Sequence, residues 1–267
     1  MFKLLNIILL IAALMAGCKN IAIKPEGNTH HHSEDVDKNN VNKHVLNCMQ
    51  PMGHHVYEDE QICPIGGTKF KVLRLGTHST YGRSLDWEPL SYMRFPVPLA
   101  VCPDNGFVIT KEQYGRTELA RIKEAIKSQA YQELFKAHHA TYFLYAKLTE
   151  LMEESGNDLW WYYLNASWEA DLCGAKERYK EYALLVIHEC KKRLQTLDES
   201  TEEYWVLKII IPNMYRRIGD FANAKKHLSG FGKPALENEK ADEFFESALM
   251  LLNEAIAQQR TERVPIK

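Results

Sequence analysis

The sequence lacks the short signatures that name most enzymes. Its 267 residues contain no Gly-x-Ser-x-Gly elbow, no His-Glu-x-x-His, no phosphate-cradling Gly-rich loop and no dinucleotide fingerprint. Neither charge is in marked excess, with 33 Lys and Arg against 35 Asp and Glu. This balance argues against the dense basic footprint of a nucleic-acid binder and against a polybasic membrane patch. The N-terminal apolar run, Leu4 to Leu14, is shorter than the roughly 20 residues that cross a bilayer. The nearest catalytic candidates, His138-His139 and His188-Glu189, read as helix-face histidines, and the expectation is that the chain is not an enzyme. What remains, at 45% hydrophobic and 25% charged residues, is an ordinary globular composition.

What is present begins with an address. Lys3, the apolar run and the small residues of Met15-Ala-Gly-Cys18 read as a cleaved export signal over residues 1–17. The Ala-Gly-Cys ending resembles the bacterial lipobox, with Met15 where Leu is commoner. The resemblance implies that Cys18 is acylated, becomes the new N-terminus and anchors the protein in the cell envelope. Lys19 stands where Asp would signal inner-membrane retention, so in a Gram-negative host the implied destination is the outer membrane, facing the periplasm. Residues 18–45 carry Pro25, Gly27, several Asn, a run of acids and His30-His31-His32 with almost no apolar periodicity. The segment is expected to be a disordered tether, because it has too little apolar surface to offset the entropy of ordering. Its three histidines read as solvated linker or as a transition-metal ligand cluster.

Residues 46–112 change texture to short β-branched and aromatic runs broken by Gly and Pro. Thr68 to Leu75 alternates as a strand, and Leu99 to Cys102 reads as a strand entering a tight turn. Cys63-Pro-Ile-Gly-Gly67 and Cys102-Pro-Asp-Asn-Gly106 share the pattern Cys-Pro-x-x-Gly. Between them Tyr81 to Leu90 is rich in interface-forming types, Trp87 and Arg83 above all. It reads either as a recognition loop or as a core cap with Asp86 paired to Arg83.

Residues 113–260 are helical by period. Apolar stripes run from Leu119 to Leu134, from about Ala137 to Met152, from Trp160 to Leu172, from Ala175 to Leu197, from Glu203 to Ile218, from Phe221 to about Phe231 and from about Lys240 to Gln259. Trp160, Trp161 and Trp168 fall in the most aromatic segment, expected to serve core, helix interface or ligand groove. Cys173 and Cys190 read as small core residues. Ile211, Tyr215, Gly219, Phe221, Ala224 and Leu228 lie at the signature spacing of a helical hairpin. They resemble the tetratricopeptide repeat, with Pro212 where a small residue is usual.

The two Cys-Pro-x-x-Gly turns followed by such helices resemble an uncharacterised bacterial family with a Cys-Pro-x-Cys-Gly zinc-ribbon head and a tetratricopeptide-like array. The implied fold is mainly α, with tetratricopeptide-like hairpins preceded by a small β-rich, degenerate zinc-ribbon-like module. Gly66 and Asn105 occupy the second Cys position of each knuckle, which leaves two thiolates where a structural zinc needs four ligands. The resemblance places Cys63 and Cys102 across one small core, open to three readings: a disulfide, two free buried thiols, or a residual zinc site recruiting Cys48, His54 and His55. The expected function is a lipid-anchored envelope scaffold binding a protein or peptide, with Arg83, Trp87, Trp160, Trp161 and Trp168 as partner-binding residues and no cofactor. The alternative is a metal-binding or metal-sensing envelope protein.

Overall fold

Alternation builds the first element. In Lys69–Leu75 (β2), Phe70 and Val72 turn inward between exposed Lys69 and Lys71. The strand pairs antiparallel with Val56–Ile62 (β1), from Val56↔Leu75 to Ile62↔Lys69. The computed structural model describes residues 56–137, 139–154, 156, 158–232, 236 and 239–266. Gly82–Ser84 (β3) and Pro89–Leu90 (β4) form a tight hairpin, and Ala100–Val101 (β5) pairs with Val108–Ile109 (β6) around the second Cys-Pro turn. The two Cys-Pro turns have one hydrogen-bond pattern. Cys63 N–H donates to Thr68 O at 2.8 Å and Gly67 N–H to Cys63 O at 3.0 Å; Cys102 N–H donates to Phe107 O and Gly106 N–H to Cys102 O, both at 2.9 Å. Gly106 has φ 77°, a left-handed backbone that glycine takes without strain, and a Cβ there would meet the Phe135 ring at 2.8 Å.

The body is mainly α. Arg116–Lys127 (α1), Gln129–Lys136 (α2), Thr141–Leu151 (α3), Leu159–Leu172 (α4), Lys176–Leu194 (α5), Glu202–Arg217 (α6), Phe221–Leu228 (α7) and Glu239–Ala257 (α8) follow in order, and Pro265–Ile266 (β7) then pairs with the free side of β3. The stripe from Leu119 to Leu134, expected as one helix, is two. Ser128, with ψ 141°, breaks it and caps the second piece by accepting from Tyr131 N–H at 3.3 Å. Consecutive helices from α3 to α7 pack on one another, and α8 lies against α6 and α7. At the α6–α7 junction Gly219 takes φ 82°, Asp220 caps α7 by accepting from Asn223 N–H at 3.1 Å, and Ala224 is 0% exposed. The methyl of Ala224 is what allows this close crossing.

Residues 46–112 were expected as a small module ahead of the helices, and the described residues of both belong to one compact unit. The join is the β3–β4 hairpin, whose Leu85 enters the main helical core. Asp86 follows it inward at 0% exposure. Its Oδ1 accepts from Asn213 Nδ2 at 2.7 Å, its Oδ2 lies 3.2 Å from Arg217 Nε, and its carbonyl accepts from the Trp168 indole N–H at 3.2 Å. Arg83, which the core-cap alternative paired with Asp86, instead donates to Trp87 O at 3.3 Å. Around Asp86 the buried Glu88 and the partly exposed Asp171 share Arg263, at 2.5 and 2.9 Å. Arg216 donates to the carbonyls of Arg260 and Glu262 at 2.5 and 2.9 Å. Burial opposes the Arg217 charge, yet Asp86 and the Tyr179 hydroxyl hold its pKa above the ordinary value.

Two predictions follow from these buried charges. Asp86→Ala removes the buried carboxylate that faces Asn213 and Arg217, leaves Arg217 with Asp171 at 3.0 Å and the Tyr179 hydroxyl at 3.0 Å, and is expected to cost about 3 kcal/mol in urea unfolding. Asp86→Leu combined with Arg217→Met should cost less than Asp86→Ala alone. Glu169 is buried and pushed up to about 7 by burial, although Thr141 Oγ1–H and Tyr142 N–H donate to its carboxylate at 2.5 and 3.1 Å. His139 is pushed down to about 4, by burial and then by Arg178 and Lys147. A raised acid contributes stability below its unfolded pKa that is lost as pH rises through about 7, whereas a lowered histidine contributes stability that is lost as pH falls from 6.5 toward 4. The two slopes oppose one another between 4.5 and 6.5. Glu169→Gln removes only the first, so its stability relative to the parent should rise by about 2 kcal/mol from about pH 5 to about pH 7. Urea unfolding at both pH values checks this.

Candidate functional site

The loop that carries Asp86 inward turns Trp87 outward. Trp87 N–H donates to Ser84 O at 2.8 Å and Ser84 N–H to Glu88 O at 2.9 Å. This closes a three-residue hairpin loop whose last position takes the left-handed conformation, usually as glycine. Here it is Trp87, at φ 65°. A bulky residue held there costs on the order of 1–3 kcal/mol, and it persists because Leu85 and Asp86 are pinned on the core side. The Trp87 ring stacks on Phe245 of α8 (5.9 Å, 10°) and meets the edge of Phe244 (5.7 Å, 80°). The Arg83 guanidinium lies 5.7 Å from the Trp87 ring centre.

These groups form one wall of a cavity of about 750 Å³, lined also by Thr80, Gly82, Trp160, Trp161, Glu202, Glu203, Val206 and Ala241. Such a volume lies within the roughly 300–1,000 Å³ of ligand clefts. It is assembled from the β3–β4 hairpin and the first two turns of α4, α6 and α8. Trp160 and Trp161, half-buried, meet edge to face at 5.7 Å, and Trp161 meets Trp168 in the same way at 5.4 Å. At the α6 wall, Glu203 is held at both oxygens by Arg193, at 2.8 and 2.9 Å.

Four of the expected partner-binding residues, Arg83, Trp87, Trp160 and Trp161, therefore converge. Trp168 does not join them. It is 2% exposed, with its indole N–H spent on the Asp86 carbonyl, so it serves as core beneath the cavity. Helix α4 is buried on most of its circumference, and its sequence carries no stripe that separates Trp168 from its two neighbours. Glu202, Glu203 and Phe244 had no signal as cavity residues, because only the packing of α6 and α8 brings them there.

The second expected site is the cysteine pair. Cys63 and Cys102 are buried and free, so the expected disulfide is not formed. The Cys63 thiol donates to Ile65 O at 2.9 Å, and Cys102 beside it and Asn105 next hold it down to about 6 against burial. The Cys102 thiol is pushed up by Cys63 and by burial. Asn105 Nδ2 donates to Cys63 Sγ at 3.6 Å and to Ile65 O at 2.7 Å. An amide N–H aimed at the sulfur is no cation ligand, and two sulfurs fall short of the four donors of a structural zinc. Among the described residues the side chains around Cys63 and Cys102 do not make up a zinc-ribbon ligand set. Among the described residues no three His, Cys, Asp or Glu side chains cluster to hold an ion. Cys18, Cys48, His30, His31, His32, His54, His55 and His138 lie outside the described residues. Cys190 is a free core thiol, but Cys173, expected as another, is disulfide-bonded.

No family model, curated protein or solved structure matches the chain.

The two kinds of tryptophan should separate by stability. Trp168→Ala is expected to cost about 3–5 kcal/mol, and Trp160→Ala, at the half-exposed rim, under about 1.5 kcal/mol. Guanidinium titrations of both variants compare them directly.

Proposed function

We propose that this protein is a lipid-anchored scaffold of a bacterial envelope that holds a peptide segment of a partner protein in the aromatic cavity. The observation that carries the reading is the convergence of Arg83, Trp87, Trp160 and Trp161 with Phe244 on one cavity. Large rings and an arginine held on rigid elements give much contact area for little lost entropy, which is the composition of interface hot spots. A volume of about 750 Å³ suits a few side chains rather than a folded domain. We read the α6–α7 hairpin as tetratricopeptide-like, supported by buried Ala224 at the crossing and by Gly219 and Asp220 at the turn. The module around Cys63 and Cys102 we read as a zinc-ribbon-like head that has exchanged its metal for an amide contact, supported by the matched turns and by Asn105. Export agrees with the disulfide at Cys173, since such bonds persist in oxidising compartments.

Two measurements test this. Cys18→Ala should move the protein from the membrane fraction to the soluble envelope fraction and abolish lipid labelling; membrane retention without label, unchanged from the parent, would refute the anchor. A photo-crosslinking residue at Ala241, inside the cavity, should capture an envelope polypeptide in cells. The same residue at exposed Leu184, which does not line the cavity, should not. Loss of the Ala241 adduct on Trp160→Ala would tie capture to the aromatic wall, and equal capture at both positions would sink the proposal.

A further inference from the structure

The charges around the cavity are unequally satisfied. Glu203 and Arg193 satisfy one another in a two-pronged pair. Arg83 is exposed on the opposite chain segment. Its guanidinium lies over Trp87 and gives one N–H to the Trp87 carbonyl at 3.3 Å, and no carboxylate among the described residues pairs with it. Glu202, exposed in the first turn of α6, likewise has no cation or donor partner among the described residues. The cavity thus offers one unpaired cation and one unpaired anion among the described residues, and Trp160, Trp161 and Phe244 line it with them.

From this arrangement we infer that the occupant is a peptide stretch of mixed charge. It places a carboxylate on Arg83, an ammonium or guanidinium on Glu202, and an aromatic or large aliphatic side chain on the tryptophans. The inference rests on the groove reading above and goes beyond it by naming what the groove selects. Competing chemistries each leave something unmet. A neutral sugar would cover the rings but offers neither charge an ionic partner. A quaternary ammonium would suit Glu202 and sit against the like charge of Arg83, and a phosphate would do the reverse. Arg83 is well prepared for a carboxylate, because stacking on Trp87 holds the planar fork while its remaining N–H groups stay free. The rings add sequence-tolerant area, so selection falls to the two charges.

The test uses full-length protein in detergent. The probes are short synthetic peptides carrying one Asp, one Trp and one Lys in every order and spacing on a Gly/Ser background. Parallel sets carry Asn for Asp or Gln for Lys. The expected result is that the best mixed-charge peptides bind about tenfold more tightly than either neutralised analogue. Arg83→Gln should erase the Asp preference while leaving the Lys preference, and Glu202→Gln should do the converse. Arg83→Glu combined with Glu202→Arg should select the reversed order of the same residues. Binding that depends on Trp160 but ignores both charges would overturn this inference and leave the groove reading standing. No binding by any peptide would overturn both. Crosslinking from position 80 to residues 18–55 of the same chain, or to a second copy, would overturn it in favour of that occupant.

Discussion

A carboxylate without solvent cannot be left alone, and the structure is arranged around that constraint at Asp86. Asn213 and Arg217 from α6 meet its two oxygens, and Trp168 from α4 meets its carbonyl. Leaving any of these groups unpaired in the interior costs more than an ordinary hydrogen bond contributes. The network therefore specifies position more strictly than apolar packing does. It ties the β3–β4 hairpin to α4 and α6. Leu85, which fills the apolar core beside it, adds burial to a location that the charges have already chosen.

The same constraint explains why the cavity is where it is. A three-residue hairpin loop has little freedom, and with two of its residues drawn inward the third faces out. Trp87 accepts a backbone conformation more natural to glycine, and its ring lands on Phe245 and under Arg83. Cavity wall and core are thus produced by one turn. A substitution aimed at the interior of this loop is felt at the cavity wall, and the converse holds for the Trp87 ring.

Much of the helical body was legible because apolar period is a local property. The positions of α3 to α8 follow from it to within a few residues, and the small Ala224 announced the close crossing that it occupies. The break at Ser128 was not legible, since a serine inside an apolar stripe serves equally as a surface residue or as a cap. The Asp86 network was invisible for a different reason. Its Asn213 partner lies 127 positions away, whereas the nearby Arg83 offered an ion pair that the fold does not form. The cysteine pair shows the limit of resemblance. Cys63 and Cys102 lie beside one another, but Asn105, where the resemblance implies a second Cys, presents an N–H to Cys63 and not a thiolate.

The pairing of β3 with β7 sets an order of events. Gly82 to Ser84 finds its second strand only in Pro265–Ile266, and Arg216 is satisfied by carbonyls at positions 260 and 262. Closing a loop of that length is costly before its contacts reward it, so this edge forms late. A ribosome has laid down Trp87 long before it reaches Pro265. Until then the hairpin lacks one edge, and an interrupted chain presents an open strand and unmet arginine donors where the finished chain presents its groove.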